Sequence, residues 1–528
     1  MTRTQSAILG VIIVATLLAL TVPHLDSQGF YYDELHQAPA AFHYIGKHPI
    51  QFTWRFHGIP VFNMPYSGAI KSTIYGLYLR YINPQFTVFN WRMFGIIFVG
   101  TGLLFFYLIA GQLVPLSTGI LLGLLVLTDS TAILTTRFDW GPTALSFGLR
   151  MVVLATWLSI ELGTPSAMKY AILGFLVGFA VFEKLSSVVL VPALLVLLVS
   201  SLKADRRSWI AGLSGIFAGM LPLLLANISS YRGAGFLISL SGVASARPGF
   251  TLADMYEHAF QFLSLGQGVM SRDQILGEPT RPIFSNLEAG TMLFLLMTIV
   301  IAAWKFRREH RSIHLAGALV AAYTVMCISF FLMPRGTFIH HWIVATPFHY
   351  VAIGLAISAL IEMSRIRNTL LYRAVLTAGL TVLVAARVVN LYAIESSLIA
   401  GKASAAFAPA LNRVAEIAAT KTKDAVFISS DWGSGTQIYC MSNGLDDFVY
   451  EPFWDGNPAQ ATSRIAAETN KNILYVVTTH LSEQFDAAAS QVGAAMSSAD
   501  GWREEPPDGE FTGLSRIDVR KFVRSVHQ

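Results

Sequence analysis

Acidic and basic side chains stand at a few points of a chain that is otherwise strongly apolar, and their types decide what chemistry is available. A carboxylate can take a proton from a hydroxyl nucleophile, and arginine or lysine can stabilise a phosphate that leaves as an anion. These residue types together suit transfer of a group from a phosphate to a hydroxyl. The clusters that stand out are Asp33 with Glu34, Asp139, Glu183 with Lys184, and Arg335 with His340 and His341.

The composition indicates a polytopic membrane protein. Of 528 residues, 54% are hydrophobic and 13% are charged, whereas soluble chains carry roughly a quarter charged residues. The net charge of +5 comes from Lys and Arg in short loops, so it does not indicate nucleic-acid binding. Cys327 and Cys440 fall in an apolar segment and in the polar tail, and we expect them to be unpaired.

Apolar runs predict about eleven membrane spans of roughly 17–22 residues each. The basic loops 203–207, 305–311 and 365–373 then fall on one side together with Arg3, which is the cytoplasmic side by the positive-inside rule. A single span over 168–201 would break this agreement. The predicted spans are 6–22, 92–111, 116–134, 142–160, 168–182, 185–201, 209–228, 289–304, 313–333, 341–361 and 370–392.

This orientation places all four charged clusters at the external face. The first external loop covers 23–91 and the second covers 229–288. Within the first loop, 67–82 has apolar residues at helical spacing with charges off the stripe, which predicts a helix in the membrane interface. A shared site at the external ends of the spans is therefore expected.

The tail differs from the rest of the chain. We predict a membrane domain over 1–395 and a small extracytoplasmic α/β domain over 396–528. Within the tail, the pattern predicts strands at 425–429, 472–477 and 513–519 and helices at 411–420 and 463–469. The motif "DWGSG" at 431–435 lacks the residues of a phosphate-binding loop, and we interpret it as a turn.

Each charged cluster also has a purely structural explanation. Acids are favoured at a helix N-terminus, Asp139 could make a turn before Pro142, and Glu183 could neutralise Lys184. Arg335 and its histidines could anchor a helix in the headgroups. The histidines at 36, 43, 48 and 57 fit no standard metal spacing, and we favour polar interface residues over a metal site.

Four motifs, taken in order along the chain, resemble a known family. "YYDELHQ" follows the first span, "RFDWGP" follows the third, "GFAVFEKLSSVVLVP" spans 178–192, and "PRGTFIHHWIVATPF" spans 334–348. They resemble the GT-C class of membrane glycosyltransferases, and within it the family of protein O-mannosyltransferases and the lipid A aminoarabinose transferase. The resemblance implies a polytopic helical fold and transfer of a sugar from a polyprenyl-phosphate donor.

The resemblance also implies roles for single residues. Asp33 matches the catalytic carboxylate, and displacement of the phosphate would invert the anomeric centre. The substrate-binding positions implied are Glu34, Asp139, Lys184, Arg335, His340 and His341. The family often has Gly-Pro after its lysine, whereas Leu185 and Ser186 follow here. Some members use a divalent metal near the second acid, and the chain leaves metal dependence and any cofactor open.

Two other classes of function remain open from the residues. A transporter or flippase of a lipid-linked sugar would also place charges at the interface, although we find no internal repeat. An assembly or scaffold protein would use the tail and would not need Asp33. The acceptor hydroxyl could belong to a lipid, a protein or a polysaccharide. We expect a bacterial inner membrane with the tail outside the cytoplasm.

Overall fold

A computed structural model describes residues 1–48, 54–200, 204–240, 251–330, 339–363, 369–481 and 483–525. Its α-helices are α1 (Arg3–Thr21), α2 (Tyr32–Leu35), α3 (Ile70–Tyr81), α4 (Val88–Ile109), α5 (Leu116–Thr128), α6 (Ser130–Phe138), α7 (Thr143–Glu161), α8 (Ala167–Glu183), α9 (Leu190–Ser200), α10 (Arg206–Gly219), α11 (Leu221–Ala234), α12 (Leu252–Ser264), α13 (Val269–Leu276), α14 (Pro282–Phe306), α15 (Arg311–Phe330), α16 (Ile339–Trp342), α17 (Phe348–Glu362), α18 (Thr369–Ile399), α19 (Pro409–Thr420), α20 (Gly435–Met441), α21 (Pro458–Glu468) and α22 (Asp486–Ser497). Its strands are β1 (Trp54–Phe56), β2 (Ile59–Met64), β3 (Ser67–Gly68), β4 (Ala425–Ser429), β5 (Val449–Tyr450), β6 (Ile473–Thr478), β7 (Trp502–Glu505) and β8 (Asp518–Arg524).

The apolar helices make this a multi-pass membrane protein. In the described ranges, seven helices are long and apolar enough to cross a membrane, or nine if each of two bent pairs is one span. The two remaining predicted spans, 168–182 and 185–201, coincide with α8 and with the shorter apolar segment Leu185–Ser200. The predicted break is present, since α8 ends at Glu183. The count of eleven and the orientation stay predictions.

The α5–α6 pair is bent by 66° at Asp129. Asp129 is the N-cap of α6, and its carboxylate accepts a hydrogen bond from the Ala132 amide at 2.8 Å. An N-cap aspartate satisfies an amide that would otherwise be unpaired at the start of a helix. The bend lets α6 begin in a new direction, and α6 ends at Phe138, directly before its C-cap Asp139, one of the predicted site residues.

Glycines bring α8 and α10 into close backbone contact. A Cβ atom on Gly174 would lie 2.0 Å from the carbonyl oxygen of Gly212, and one on Gly178 would lie 2.1 Å from that of Ile216. Small residues at four-residue spacing allow this approach between membrane helices. The contact fixes the end of α8, and hence the position of Lys184.

The first loop is built from α2, the 3-10 helix Ala38–Ile45, the antiparallel sheet β1–β2–β3 and α3. The predicted interfacial helix is present as α3. Its apolar stripe is exposed at Ile74, Leu77 and Tyr81, while Lys71 on the opposite face is fully buried. An exposed apolar stripe is the pattern of a helix that lies on a lipid surface.

The C-terminal residues form a five-stranded sheet in the order β5-β4-β6-β8-β7. β4 pairs in parallel with β5 and β6, and the other pairs are antiparallel. The predicted strands at 425–429 and 472–477 are confirmed. The predicted strand at 513–519 is wrong, because Gly513 and Arg516 have positive φ and the strand begins only at Asp518.

The C-terminal domain packs directly on the first loop. Phe30, Phe42 and Tyr75 share one hydrophobic core with residues of α19 and β4. The Phe30 amide donates to Asn412 Oδ1 at 2.8 Å, and Gln437 Nε2 donates to the Phe30 carbonyl oxygen at 3.1 Å. These contacts hold the domain against the segment that leads into α2.

Candidate active site

A cavity of about 540 Å³ lies where the first loop, the ends of several membrane helices and the C-terminal domain meet. It combines charged, neutral polar and aromatic groups, as expected of a site that orients a small ligand. Its lining is made by Tyr31, Tyr32, Asp33, His36, Met64, Tyr66, Ser67, Gly141, Pro142, Lys184, Gln274, His341, Trp432, Trp454, Leu481 and Phe485.

Asp33 supplies the carboxylate of this lining. It stands in the first turn of α2, and its side chain is 22% exposed, toward the cavity. Asp33 Oδ2 accepts a hydrogen bond from Trp140 Nε1 at 3.2 Å. Burial raises the pKa of Asp33, and hydrogen bonds from Trp140 and Tyr31 and the charge of Lys184 partly offset that rise. A carboxylate with a raised pKa is a stronger base, fixed here by an indole.

His36 and Ser67 contribute neutral polar atoms beside Asp33. His36 Nδ1 lies 3.8 Å from Asp33 Oδ1. Burial and the charge of Lys184 lower the pKa of His36 to about 3, so the ring is neutral at physiological pH. Within the parts of the chain that the structure describes, neither His36 ring nitrogen nor the Ser67 hydroxyl has a hydrogen-bond partner. Buried polar atoms of this kind are costly unless a ligand or water satisfies them.

Lys184 brings a cation to the cavity at the break after α8. Its Nζ donates to the Gly141 carbonyl oxygen, and its backbone pairs with Ser67. Burial and the nearby charge of Arg150 lower the pKa of Lys184 to about 7. An anion bound beside Lys184 would favour its protonated form, since opposite charges stabilise each other most where water is excluded.

Glu34 lies away from the cavity. Arg92 binds its carboxylate through two hydrogen bonds, with Nε at 2.6 Å and Nη2 at 3.0 Å, and both side chains are fully buried. The same guanidinium donates to the carbonyl oxygens of Leu25, Gln28 and Gly29. The pair therefore fixes the segment that leads into α2, and Glu34 is not among the residues that line the cavity.

Asp139 also lies behind the cavity wall. It forms a fully buried ion pair with Lys71 and accepts a hydrogen bond from the Ala144 amide at 2.8 Å. Asp139 has φ 41°, in the left-handed region that aspartate tolerates better than most residues. The neighbouring residue is Trp140, so the Asp139 turn places the indole that binds Asp33.

The fourth predicted cluster is described only in part. His341 lines the cavity. Arg335 and the side chain of His340 lie outside the described residues. Their expected contact with a phosphate stays a prediction.

Several residues of the site were not predicted from the sequence. Lys71 and Arg92 complete the buried ion pairs, and Trp140 binds Asp33. The sequence did contain a signal for Arg92, because a charged residue within an apolar run is expected to form an ion pair or to have a functional role. The sequence contained no such signal for the C-terminal residues that line the cavity, because they reach it only through the docking of the C-terminal domain on the membrane domain.

No metal-binding cluster is evident in the described ranges. No group of three or more His, Cys, Asp and Glu side chains among those residues is placed to hold a metal ion. The four first-loop histidines do not form one.

The helix order, the amphipathic first loop and the terminal α/β domain define a polytopic membrane protein with a GT-C-like fold. The chain is similar to the crystal structure of ArnT from Cupriavidus metallidurans in the apo state, with a TM-score of 0.55. The likeness covers 91% of this chain and 94% of that chain at 14% sequence identity, and it shows the fold. No family model and no curated protein matches the sequence.

Proposed function

We propose that this protein is an inverting glycosyltransferase that moves a sugar from a polyprenyl-phosphate donor to an acceptor hydroxyl at the extracytoplasmic face. The observation that carries the proposal is the pairing of Asp33 with Lys184 on one cavity. One group can accept the proton of a nucleophile and the other can meet a leaving phosphate. The likeness of the fold to ArnT supports the same class of reaction.

Asp33 is the proposed general base. The acceptor oxygen attacks the anomeric carbon while its proton passes to the Asp33 carboxylate. The bond between the anomeric carbon and the phosphate oxygen breaks, and the phosphate leaves with the electron pair. Attack from the face opposite the phosphate inverts the anomeric centre, and Asp33 later returns its proton to solvent.

Lys184 is the proposed phosphate-binding cation. The leaving group gains negative charge as the bond breaks, so a protonated amine beside it stabilises the transition state more than the ground state. We propose that Arg335 adds a bidentate contact to the same phosphate. No acid is needed on the leaving side, because a phosphate departs as an anion.

The two buried ion pairs are proposed to position the base. Glu34 and Arg92 hold the start of α2, and Asp139 and Lys71 hold the turn that carries Trp140. Their effect on catalysis runs through the orientation of Asp33, since misplacement by about 1 Å can cost on the order of a hundredfold in rate.

The decisive experiment is sugar transfer from a panel of polyprenyl-phosphate hexoses and pentoses by purified full-length protein in nanodiscs. Asp33→Asn should reduce the transfer rate by about 10²- to 10⁴-fold with an unchanged melting temperature. Asp26→Asn is the matched control, because Asp26 is an exposed aspartate of the same loop. Near-wild-type turnover by Asp33→Asn would exclude Asp33 as the base. Movement of the lipid-linked sugar without transfer would favour a flippase.

A further inference from the structure

The loops after all three parallel strands of the C-terminal sheet reach the candidate active-site cavity. The turn after β4 carries Trp432, the 3-10 helix Pro452–Trp454 follows β5, and Leu481 follows β6. β5 and β6 lie on opposite sides of β4, so the strand order reverses there. In open α/β sheets, ligands bind outside the carboxyl ends of the strands at such a reversal. This edge of the sheet faces the membrane domain.

The turn that carries Trp432 is held rigidly. The buried Asp431 carboxylate accepts hydrogen bonds from the amides of Thr479 at 2.8 Å and His480 at 2.6 Å, which ties the loop after β4 to the loop after β6. Gly433 has φ 135°, and a Cβ atom there would lie 2.6 Å from Leu481 Cδ1. Trp432 is therefore presented on a preorganised turn, which lowers the entropic cost of binding a ligand.

Aromatic rings from both domains form one surface, which we call the aromatic wall: Tyr32, Trp432, Trp454 and Phe485. The ring centroids of Tyr32 and Trp432 lie 4.8 Å apart, and those of Trp454 and Phe485 lie 5.5 Å apart. Among the residues that the structure describes, the buried Tyr32 hydroxyl has no hydrogen-bond partner. Tyr32 directly precedes Asp33, so the wall continues from the C-terminal domain to the proposed base.

The chemistry of the cavity differs between its parts. Lys184 offers a charge, whereas the aromatic wall offers flat apolar faces, and His36 and Ser67 of the same lining offer neutral hydrogen-bonding atoms. A sugar ring has apolar C–H faces and a rim of hydroxyls, which matches aromatic faces bordered by neutral polar atoms. A phosphate would gain little from the wall, because the partners it prefers are cations.

We propose that the aromatic wall binds the acceptor, and that the acceptor is a carbohydrate whose ring stacks on Trp432 and Trp454. This inference rests on the proposed function, since it assigns the acceptor side of the same cavity. The acceptor hydroxyl then points toward Asp33, and the donor phosphate lies by Lys184. The C-terminal domain acts as the specificity element of the transferase.

The test is ligand-observed saturation-transfer NMR with methyl glycosides of common pyranoses. The full-length protein is held in phosphatidylcholine nanodiscs, since maltoside detergents would compete. Saturation of the wild-type protein should be transferred to the ring protons of at least one glycoside, which shows that this glycoside binds. Trp432→Ala and Trp454→Ala should each weaken that binding by about tenfold. Trp304→Ala is the control, because Trp304 is an exposed tryptophan of the membrane helix α14.

A second arm separates acceptor from donor binding. Hexose 1-phosphate mimics the donor head and, at the same concentration as the glycoside, should leave the glycoside signal in place, because its phosphate holds it beside Lys184 in another part of the cavity. Displacement of the glycoside by hexose 1-phosphate would overturn the acceptor assignment, and so would binding that survives both tryptophan substitutions or is absent from wild type. The Asp33→Asn protein should still bind the glycoside, so failure of the proposed base and failure of the aromatic wall give different results.

Discussion

Two buried polar clusters of this protein differ in how completely their hydrogen bonds are closed. One lies among the membrane helices and contains Asp129, Glu288, Tyr350 and Arg387; we call it the membrane cluster. The other lies on the cavity and contains Asp33, His36, Ser67 and Lys184; we call it the cavity cluster. Both place ionisable groups where water is scarce, so the difference between them is informative about role.

The membrane cluster closes on itself. Arg387 Nε donates to both Glu288 oxygens, at 3.0 and 3.1 Å, and its Nη2 lies 2.7 Å from the Tyr350 hydroxyl. That hydroxyl donates to Asp129 Oδ2 at 2.6 Å. Asp129 also caps α6, so the cluster fixes the bend that leads to Asp139 and Trp140. A closed network of this kind stabilises a geometry and has little capacity left for a ligand.

The cavity cluster is open. Asp33 is partly exposed, and His36 and Ser67 keep polar atoms without hydrogen-bond partners among the described residues. Natural cores rarely leave such atoms unsatisfied, so we expect a ligand or water in the cavity to complete them. The comparison separates the residues of a closed network, which hold the site in place, from the residues of the cavity, which we propose meet the substrate.

The largest expected effect comes from breaking the membrane cluster. Arg387→Leu leaves Glu288 buried without its cation, which should lower the free energy of unfolding by about 3–5 kcal/mol. Thermal unfolding in nanodiscs measures this. The double variant Glu288→Leu/Arg387→Leu should recover much of the loss, because no unpaired charge remains. Equal loss in the single and double variants would contradict the closed-network interpretation.

A smaller effect, confined to function, is expected from the cavity cluster. Lys184→Met removes the proposed phosphate contact and should reduce kcat/KM for transfer by about ten- to a hundredfold. The melting temperature should stay level or rise, because burial disfavours the charged lysine and its removal relieves that cost. Lys169→Met, at the opposite end of the same helix, is the control. A fall in melting temperature with unchanged kcat/KM would assign Lys184 a structural role.

The sequence predicted the membrane helices well because long apolar runs depend little on tertiary context. It also predicted Asp33, Lys184 and His341 on one face of the membrane, because all three stand at helix ends, and all three line one cavity in the structure. The resemblance gave Asp33 the catalytic role and Glu34 a substrate-binding one, but the sequence did not predict that Glu34 turns away from the cavity to Arg92. Which face of α2 is buried depends on residues far along the chain. The contribution of Trp432 depends likewise on the docking of a domain.

The smallest expected effect, and the one most specific to the cavity cluster, is the pH dependence of transfer. Lys184 has its pKa lowered to about 7, so it is protonated below that pH and loses its charge above it. If the charged form binds the phosphate, kcat/KM falls by about tenfold per unit on the alkaline side of pH 7. Lys184→Arg should move this limb to higher pH, because a guanidinium keeps its proton.

Burial raises the pKa of Asp33, so the fall of kcat/KM on the acidic side of the pH profile should occur above pH ~4, the ordinary range of an aspartate pKa. Below that limb the base is protonated and cannot accept the acceptor's proton. The donor is a phosphodiester with no ionisation between these limbs, so the profile reports the protein alone. A profile that stays flat from pH 6 to 9 in wild type would mean that the charge of Lys184 is not used, and the division between the two clusters would then rest on Asp33 alone.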